Sequence, residues 1–378
     1  MAKTDNLGDF LTDIANSIRT KTGTTEPINA QDFSTKILQI TSGGENTLKN
    51  LLDATKSTKY LFEGYSGVSV DDLIQPNDTE NVITMSNMFY GCANLTTIPQ
   101  LDTGKVTNMN SMLYHCDKLT NIPLLNTSNV TDMASMFYNC SSLTTVPQLD
   151  TSKVNSMRNM FYNCGSLTTI PLLNTSNVTS MYQIFYNCHS LTTVPQLDTS
   201  NVTDMASMFC NCSSLTTVPQ LDTSKVNSMR NMFYNCGSLT TVPQLDTSNV
   251  TDMASMFCNC PSLTTVPLLD TSKVTNMSQM FWHCNNLQTV PAFDCSKVTN
   301  MNNIFASCSS LKSILMTGMK VSFDISASTL FERTDLLIIL NNLATVTTTE
   351  TLKMGATNLA KLTDEDKAIA TNKGWTLA

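Results

Sequence analysis

The chain has 378 residues, a formal net charge of -8 and only 14% charged residues, so uncharged polar side chains must form most of its surface. It has no basic stripe to follow a phosphate backbone, which argues against a nucleic-acid partner. No apolar run is long enough to span a membrane, and the first ten residues lack the apolar core of a secretory signal, so we expect cytosolic synthesis without membrane insertion.

Residues 1–41 predict a separate helical attachment element. Apolar residues at helical spacing indicate one helix, and a second, shorter helix follows Pro27. The two apolar stripes consist of Leu7, Phe10, Leu11, Ile14, Ile18, Phe33 and Ile37. Because two short helices cannot bury these stripes alone, the element either forms a local hairpin or binds other chains, including copies of itself.

Residues 42–80 predict a linker and an N-terminal cap. The segment begins with Ser-Gly-Gly, which is typical of a flexible joint. A helix is predicted from Leu48 towards Phe62, ending near Gly64. A solenoid needs an atypical end of this kind to cover the core of its first repeat.

A unit of 24 residues repeats from about residue 81 to residue 315. Ten cysteines mark the period, because they hold one position in successive copies: Cys92, Cys116, Cys140, Cys164, Cys188, Cys212, Cys236, Cys260, Cys284 and Cys308. A fixed period of this length is typical of a solenoid, in which a single copy is stable only when it is stacked on its neighbours.

The copy at residues 127–150 predicts a short helix followed by a parallel strand. The helix is indicated by apolar residues at spacings of three and one, namely Val130, Met133, Met136, Phe137 and Cys140. The strand would bury Leu143, Val146 and Leu149, with Pro147 limiting its hydrogen bonds. The predicted fold class is therefore an α/β repeat solenoid of about ten units, in residues 81–315.

Residues 316–378 predict a C-terminal cap. This segment contains the apolar run Leu336–Leu340. It also contains Thr363 three residues before Asp366, a pattern typical of a capping box at the start of a helix.

The repeat motif Met-x-x-Met-Phe-Tyr-x-Cys-x-x-Leu-Thr-x-Val-Pro, followed by Asp-Thr-Ser-x-Val-Thr-x-Met, resembles the BspA-like leucine-rich repeat surface proteins over residues 81–315. This resemblance implies a curved leucine-rich-repeat solenoid, with a parallel sheet on one face and short helices on the other, and a role in adhesion. Residues 7–23 and 28–33 resemble N-terminal segments of bacteriophage tail or fibre proteins. Residues 361–375 resemble the terminal unit of the same phage-borne group.

The repeated cysteines and aspartates are predicted to be structural. Stacked copies would hold the thiol vectors parallel, which is poor disulfide geometry, so we expect buried thiols that pack as small hydrophobes. The aspartates that precede each Thr-Ser corner are expected to cap a turn rather than to bind calcium, because Asn126 and Asn174 replace them. We predict no catalytic residue, no metal site and no cofactor.

Two rows of side chains are the candidate ligand-binding residues. The first is an aromatic column beside the buried phenylalanines: Tyr90, Tyr114, Tyr138, Tyr162, Tyr186, Tyr234 and Trp282. The second is a polar row on the predicted sheet: Thr145, Thr169, Thr193, Thr217, Thr241 and Thr265. Rings offer area at little entropic cost, and hydroxyl rows suit many weak contacts with a glycan. The alternatives are rings that only fill the space between adjacent helices and threonines that only solvate a strand.

Together these observations predict a non-enzymatic binding protein of a phage virion, as a tail-fibre, baseplate or head-fibre component. Its N-terminal helices would bind other virion proteins, and its solenoid would attach to a glycan or protein receptor on the bacterial host. The alternatives are a bacterial cell-surface adhesin of the BspA-like type and a purely structural virion decoration protein. An enzyme that acts on cell-wall glycan is disfavoured, because no paired acids stand apart from the aspartate row.

Overall fold

The computed structural model of the protein describes residues 47–378. The predicted attachment element lies outside the described residues, including Leu7, Phe10, Leu11, Ile14, Ile18, Phe33 and Ile37. Residues 42–46 of the predicted linker lie outside them as well.

The N-terminal cap begins with helix α1, Thr47–Thr55. The prediction that this helix runs on towards Phe62 is wrong. The helix stops because Lys56 has a left-handed φ of 57° and Ser57 forms a parallel bridge with Thr84 of the first repeat. The chain from residue 57 onwards therefore already stacks on the array.

The rest of the N-terminal cap imitates a repeat. The ring of Phe62 stacks on that of Phe89, with centroids 5.4 Å apart and planes 5° apart. The Phe62 amide donates to the Met88 carbonyl at 2.9 Å. A single 3₁₀ turn, Pro76–Asp78, follows. These contacts cover the apolar end of the first copy.

The predicted short helix of each repeat is wrong, because residues 81–315 contain no α-helix. The corresponding segment is a chain of tight turns. In a representative copy, the Met136 amide donates to the Met133 carbonyl at 3.2 Å. Ser135 and Asn139 have φ values of 56° and 60°, whereas a right-handed helix requires a negative φ at every residue. The apolar spacing fits these three-residue turns as well as it fits a helix, and this similarity explains the error.

The copies are joined along these turns. The Met133 amide donates to the Ser156 carbonyl at 3.3 Å, and the Phe137 amide donates to the Met160 carbonyl at 3.0 Å. A series of isolated parallel bridges with a 24-residue offset accompanies these bonds, as between Asp132 and Ser156. Alternate backbone amides thus bond to the next copy instead of to their own, as in a parallel ladder.

The predicted parallel strand is present in only two of the repeats. Within residues 81–315 the only strands are β1, Thr289–Val290, and its parallel partner β2, Ser313–Ile314. The apolar residues at 143, 146 and 149 are buried with a period of three, which is typical of a polyproline II segment, whereas a pleated strand has a period of two. Pro147 has no amide to donate. The Gln148 side chain takes over part of the bonding, because its Nε2 donates to the Leu172 carbonyl at 2.7 Å.

The core is a stack of closely similar apolar layers. Phe137, Phe161 and Phe185 are fully buried, and their parallel rings lie 5.5 and 5.9 Å apart. Beside them, the Cys164 thiol donates to the Phe137 carbonyl at 3.1 Å. Burial of each phenylalanine contributes about 1.5 to 3 kcal/mol, and it depends on the neighbouring copies.

The C-terminal cap has regular secondary structure. It consists of β3 (Phe323–Asp324), α2 (Arg333–Asn342), β4 (Glu350–Lys353), α3 (Gly355–Leu359), α4 (Asp364–Thr371) and β5 (Trp375–Leu377). The three strands form one parallel sheet in the order β3-β4-β5. The predicted apolar run 336–340 lies within α2.

The capping box predicted at residue 363 is confirmed. The Thr363 Oγ1 accepts from the Asp366 amide at 3.2 Å, and an Asp366 carboxylate oxygen accepts from the Thr363 amide at 2.9 Å. Arg333 of α2 then bonds Asp366 through two nitrogens, at 2.6 and 2.8 Å. This pair joins α2 to the start of α4.

Candidate binding surfaces

Five of the predicted ligand-binding tyrosines form one stack of half-buried rings. Neighbouring ring centroids are 4.3–4.6 Å apart and nearly parallel in the series Tyr90, Tyr114, Tyr138, Tyr162 and Tyr186. The inner rings have neighbours against both faces, so only their edges and hydroxyls remain for other contacts. Burial raises the pKa of the Tyr114 and Tyr138 phenols, and the tyrosine of the following copy raises it further.

The other two predicted aromatic residues stand apart from this stack. Cys210 occupies the column between Tyr186 and Tyr234, and Cys258 occupies it between Tyr234 and Trp282. Tyr234 contacts no other aromatic ring in the described part of the chain, while the Trp282 ring lies 4.8 Å from that of His283. The structure thus brings five of the seven aromatic side chains together.

An asparagine ladder, which was not predicted from the sequence, runs beside the ring stack. Its amide nitrogens donate to the amide oxygen one copy earlier, as from Asn163 to Asn139 at 2.7 Å and from Asn211 to Asn187 at 2.6 Å. Asn163 has a φ of 57°, a left-handed conformation that asparagine tolerates well. The available signal was an asparagine between the aromatic position and the cysteine in copy after copy.

Two of the three histidines replace asparagine in this ladder. His115 and His283 have φ values of 59° and 60°. The Asn139 amide nitrogen lies 3.0 Å from His115 Nδ1, which itself lies 3.5 Å from an Asp117 oxygen. These histidines therefore continue the polar row at its two ends.

The predicted threonine row is exposed along its whole length. In the described part of the chain, where a hydroxyl of one of these Thr-Thr pairs bonds to the preceding copy, it belongs to the first threonine of the pair. Thr144 donates to the Thr120 carbonyl at 3.5 Å, and Thr168 donates to the Thr144 carbonyl at 3.4 Å. The hydroxyls of Thr145, Thr169, Thr193, Thr217, Thr241 and Thr265 have no such intramolecular partner. One free hydroxyl per copy thus faces solvent.

The aspartates at the corners cap turns, as predicted. An Asp150 oxygen accepts from the Ser152 amide at 3.0 Å and from its hydroxyl at 2.7 Å. Asn174 accepts the same two bonds from Ser176 at 3.1 and 2.8 Å. The serine hydroxyl and amide lower the pKa of the Asp150 carboxyl.

A groove that was not predicted from the sequence follows the same corners. One part has a volume of about 720 Å³ and spans copies from Gln220 to Asp294. A second part of about 620 Å³ spans copies from Gln148 to Asp198. Its rim carries two of the most exposed apolar side chains, those of Leu172 and Leu268.

The cysteines form no reactive centre. All thirteen are free and buried, as the sequence predicted for the ladder thiols. Burial raises the pKa of the Cys188 thiol to about 12, which keeps it protonated and unreactive at neutral pH. Within residues 47–378 no group of three histidine, cysteine or acidic side chains could hold a metal ion, and none of the described helices is long and apolar enough to cross a membrane.

Stacked 24-residue units, joined by parallel bridges and by ladders of one residue type, define a repeat solenoid. The chain belongs to the family described as a Mycoplasma protein of unknown function, DUF285, whose model matches residues 56–172, 144–240, 166–266 and 260–357. No protein with a curated functional description matches the sequence.

Several solved structures are similar to this one. A leucine-rich repeat protein from Bacteroides ovatus is 16% identical, with a TM-score of 0.33 over 79% of this chain and 88% of that one. The leucine rich repeat protein of T. pallidum is 20% identical, with a TM-score of 0.30 over 52% and 78%. A leucine rich cell surface protein from Faecalibacterium prausnitzii is 20% identical, with a TM-score of 0.28 over 60% and 80%. Identities and TM-scores this low carry no inference about ligands.

Proposed function

We propose that the protein is a non-enzymatic, adhesin-like binding protein of a bacterial cell surface, whose repeat array contacts a glycan on a partner cell. The observation that carries the proposal is the row of exposed threonine hydroxyls without an intramolecular partner. An uncharged donor and acceptor recurs at each copy, so a polymer of repeating sugars can make many weak contacts with it at once.

The ring column is assigned a secondary role in this proposal. Sugar stacking needs an open ring face, whereas the inner rings of the Tyr90 to Tyr186 stack have neighbours on both faces at 4.3–4.6 Å. Tyr234 and Trp282, which stand outside that stack, are the better candidates for contact with a ligand.

A glycan array probed with the full chain and two triple variants tests the proposal. T169V/T193V/T217V removes three free hydroxyls while it keeps side-chain shape. T131V/T203V/T251V is the matched control, because those exposed hydroxyls already donate to carbonyls of the preceding copy at 3.1–3.3 Å. We expect a selective glycan signal that falls at least about tenfold in the first variant only. Absence of any glycan signal, or equal loss in both variants, contradicts the proposal.

The proposed location of the protein at the cell surface is tested by a separate experiment. Antibody labelling of intact cells of the source organism is expected to detect the array without permeabilisation. Labelling that appears only after permeabilisation would contradict a cell-surface role.

A virion component is the second candidate. It is supported by the resemblance of residues 7–23, 28–33 and 361–375 to phage proteins, although the first two segments lie outside the described residues. None of the three similar solved structures is described as a phage protein. In this candidate the N-terminal helices bind virion proteins or copies of the chain, and the solenoid contacts the host. Co-purification of the chain with phage particles from induced cells would favour it over the adhesin.

A further inference from the structure

The groove along the Asp-Thr-Ser corners is a separate surface from the threonine row. Its larger part spans four consecutive copies, and its polar lining includes the aspartates of each corner. Exposed glutamine side chains link neighbouring copies along it, since Gln220 Nε2 donates to the Gln244 carbonyl at 2.6 Å, and Gln244 Nε2 donates to the Leu268 carbonyl at 2.6 Å. The groove therefore runs along the stack, from copy to copy.

Apolar side chains stand open in this groove. Leu268 is 57% exposed and Leu172 is 63% exposed, at a position where several other copies carry glutamine. Next to Leu268, Ala292 completes the lining of the larger part. A partner that covers these side chains gains apolar burial.

The groove is also negatively charged over five consecutive copies, through Asp198, Asp222, Asp246, Asp270 and Asp294. One oxygen of each carboxylate caps its own turn, as Asp222 does towards Ser224 at 3.0 and 2.7 Å. In the described part of the chain, none of these carboxylates forms a salt bridge within 4.0 Å. Their second oxygens remain available.

The nearby lysines offset the charge of this row only in part. Hydrogen bonds from Ser224 are the main cause that lowers the pKa of the Asp222 carboxyl, and the charge of Lys225 lowers it further. The Lys225 ammonium donates to Asn201 at 2.8 Å, and the Lys273 ammonium donates to Asn249 at 2.9 Å. No lysine lines either part of the groove. The carboxylates belong to successive copies, and within residues 47–378 no three histidine, cysteine or acidic side chains are grouped closely enough to hold a metal ion.

We propose that this groove binds an extended cationic polypeptide segment, with lysine or arginine side chains against the aspartate row and an apolar side chain against Leu268. The carboxylates recur once per copy, about 4.8 Å apart in a parallel stack, so the groove matches a chain that carries several positive charges along its length. A neutral glycan lacks these charges, and a simple polyamine lacks the apolar side chain. The surface and its partner are thus distinct from those of the threonine row.

Fluorescence polarisation with the full chain and labelled peptides tests this assignment. The probe is a peptide of alternating lysine and leucine; the comparison peptides alternate glutamate with leucine and lysine with serine. We expect saturable binding of the Lys-Leu peptide, weaker binding of the Lys-Ser peptide and none of the Glu-Leu peptide. Binding should weaken as salt is raised, because the charges are exposed.

Two triple variants that change the net charge by the same amount locate the site. D222N/D246N/D270N keeps the turn caps, because asparagine already caps this corner at Asn126 and Asn174. D132N/D204N/D252N changes net charge equally at the bridge position, where asparagine is native at Asn108, Asn276 and Asn300. We expect about tenfold weaker peptide binding in the first variant and less than about twofold in the second. Leu268→Gln, which places the residue of Gln244 at this position, should weaken peptide binding about threefold.

Several results would overturn the proposal. These are equal effects of the two triple variants, equal binding of the Glu-Leu peptide, or binding of spermidine as tight as that of the Lys-Leu peptide. Displacement of the peptide by stoichiometric Ca²⁺ would also reassign the aspartate row to a metal. T169V/T193V/T217V is expected to keep full peptide binding, so failure of the glycan proposal and failure of this one are distinguishable.

Discussion

The repeat array and the C-terminal cap satisfy their backbone hydrogen bonds in different ways. In the array, alternate backbone amides bond to the next copy, as Phe137 does to Met160 at 3.0 Å, and residues 81–315 form no helix. In the cap, α2 and α4 satisfy their own backbones, and side chains such as Arg333 and Asp366 join them. The stability of each copy in the array therefore depends on its neighbouring copies, whereas the stability of the cap depends mainly on local structure.

This difference follows from the residues of each region. The array places Asn, Ser or Gln at left-handed positions in each copy, which terminates any helix within a turn or two. In the cap, α2 contains the apolar run Leu336–Leu340 and no left-handed residue, and α4 begins with a capping box at Thr363. Every cysteine also lies in the array, between Cys92 and Cys308.

The largest expected difference between the two regions is their response to alkaline pH. Burial raises the folded pKa of the array thiols, for Cys188 to about 12. Because the folded thiol holds its proton more tightly, the full stability of the folded array is present below the pKa of the unfolded thiol, about 8.5. That stability is lost as pH rises above this value and through the folded pKa. Each such thiol costs about 1.4 kcal/mol per pH unit above the unfolded pKa. We expect the array to lose most of its stability between about pH 9 and about pH 11.

The two tryptophans make this measurable, because one lies in each region. W282Y leaves Trp375 as the reporter of the cap, and Tyr is native elsewhere in that column. W375F leaves Trp282 as the reporter of the array. Urea unfolding followed by fluorescence under reducing conditions should show the Trp282 midpoint falling more steeply with pH. Identical slopes for both reporters would mean that the chain unfolds as one unit.

The next largest effect is expected for a core ring in the middle of the array. Phe161→Ala should lower the free energy of unfolding by about 3 to 5 kcal/mol, because the ring stacks between Phe137 and Phe185. Phe161→Leu is the matched control, since Leu113 holds the same position in another copy, and about 1 kcal/mol is expected. The measurement is urea unfolding with the Trp282 reporter. Equal losses in both variants would argue against ring stacking as the source.

A smaller effect is expected in the asparagine ladder. Asn163→Ala should cost about 2 to 3 kcal/mol, because it strains a left-handed residue and removes two amide bonds. Asn163→Gly relieves the strain only, as Gly91 does naturally at this position. In the cap, Asn358→Ala removes bonds to the Ser328 and Met354 carbonyls. Thermal unfolding should show Asn163→Ala acting on the Trp282 reporter and Asn358→Ala acting on the Trp375 reporter; the reverse assignment would refute the comparison.

The smallest effect is expected where side chains replace missing backbone bonds. Gln196→Leu removes a bond to the Gln220 carbonyl at 2.7 Å, in an exposed position where Leu172 is native. We expect the free energy of unfolding, measured by urea denaturation, to fall by about 0.5 to 1 kcal/mol. A loss as large as that of Phe161→Ala would mean that these glutamines, and not the core, hold the copies together.

Much of the architecture could be predicted from the sequence, because a 24-residue period and its buried positions are explicit in the residues. The thiols and corner aspartates were also predictable, since replacement of aspartate by Asn126 and Asn174 indicates a cap. The local conformation was not: the spacing of Met133, Met136 and Cys140 fits a helix and a series of three-residue turns equally well. Only the asparagine and serine positions distinguish the two, through their left-handed φ.

The candidate surfaces were predicted less completely. The exposed threonine row could be read from its position, but the stacking of ring on ring depends on the distance between copies, which the sequence does not state. The groove also depends on the relative orientation of neighbouring corners. Its exposed Leu268 and Leu172 appear in the sequence only as outward positions that vary.

Amide hydrogen exchange resolved to single residues tests the central claim most directly, namely that the copies are joined along the turns and not along a strand. We predict slow exchange at Phe137 and Asn139, whose amides donate to the next copy at 3.0 and 2.8 Å. The amides of Thr145, Val146, Gln148 and Leu149, which have no backbone partner, should exchange much faster. Protection of residues 145–149 as strong as that of Phe137 would contradict this account.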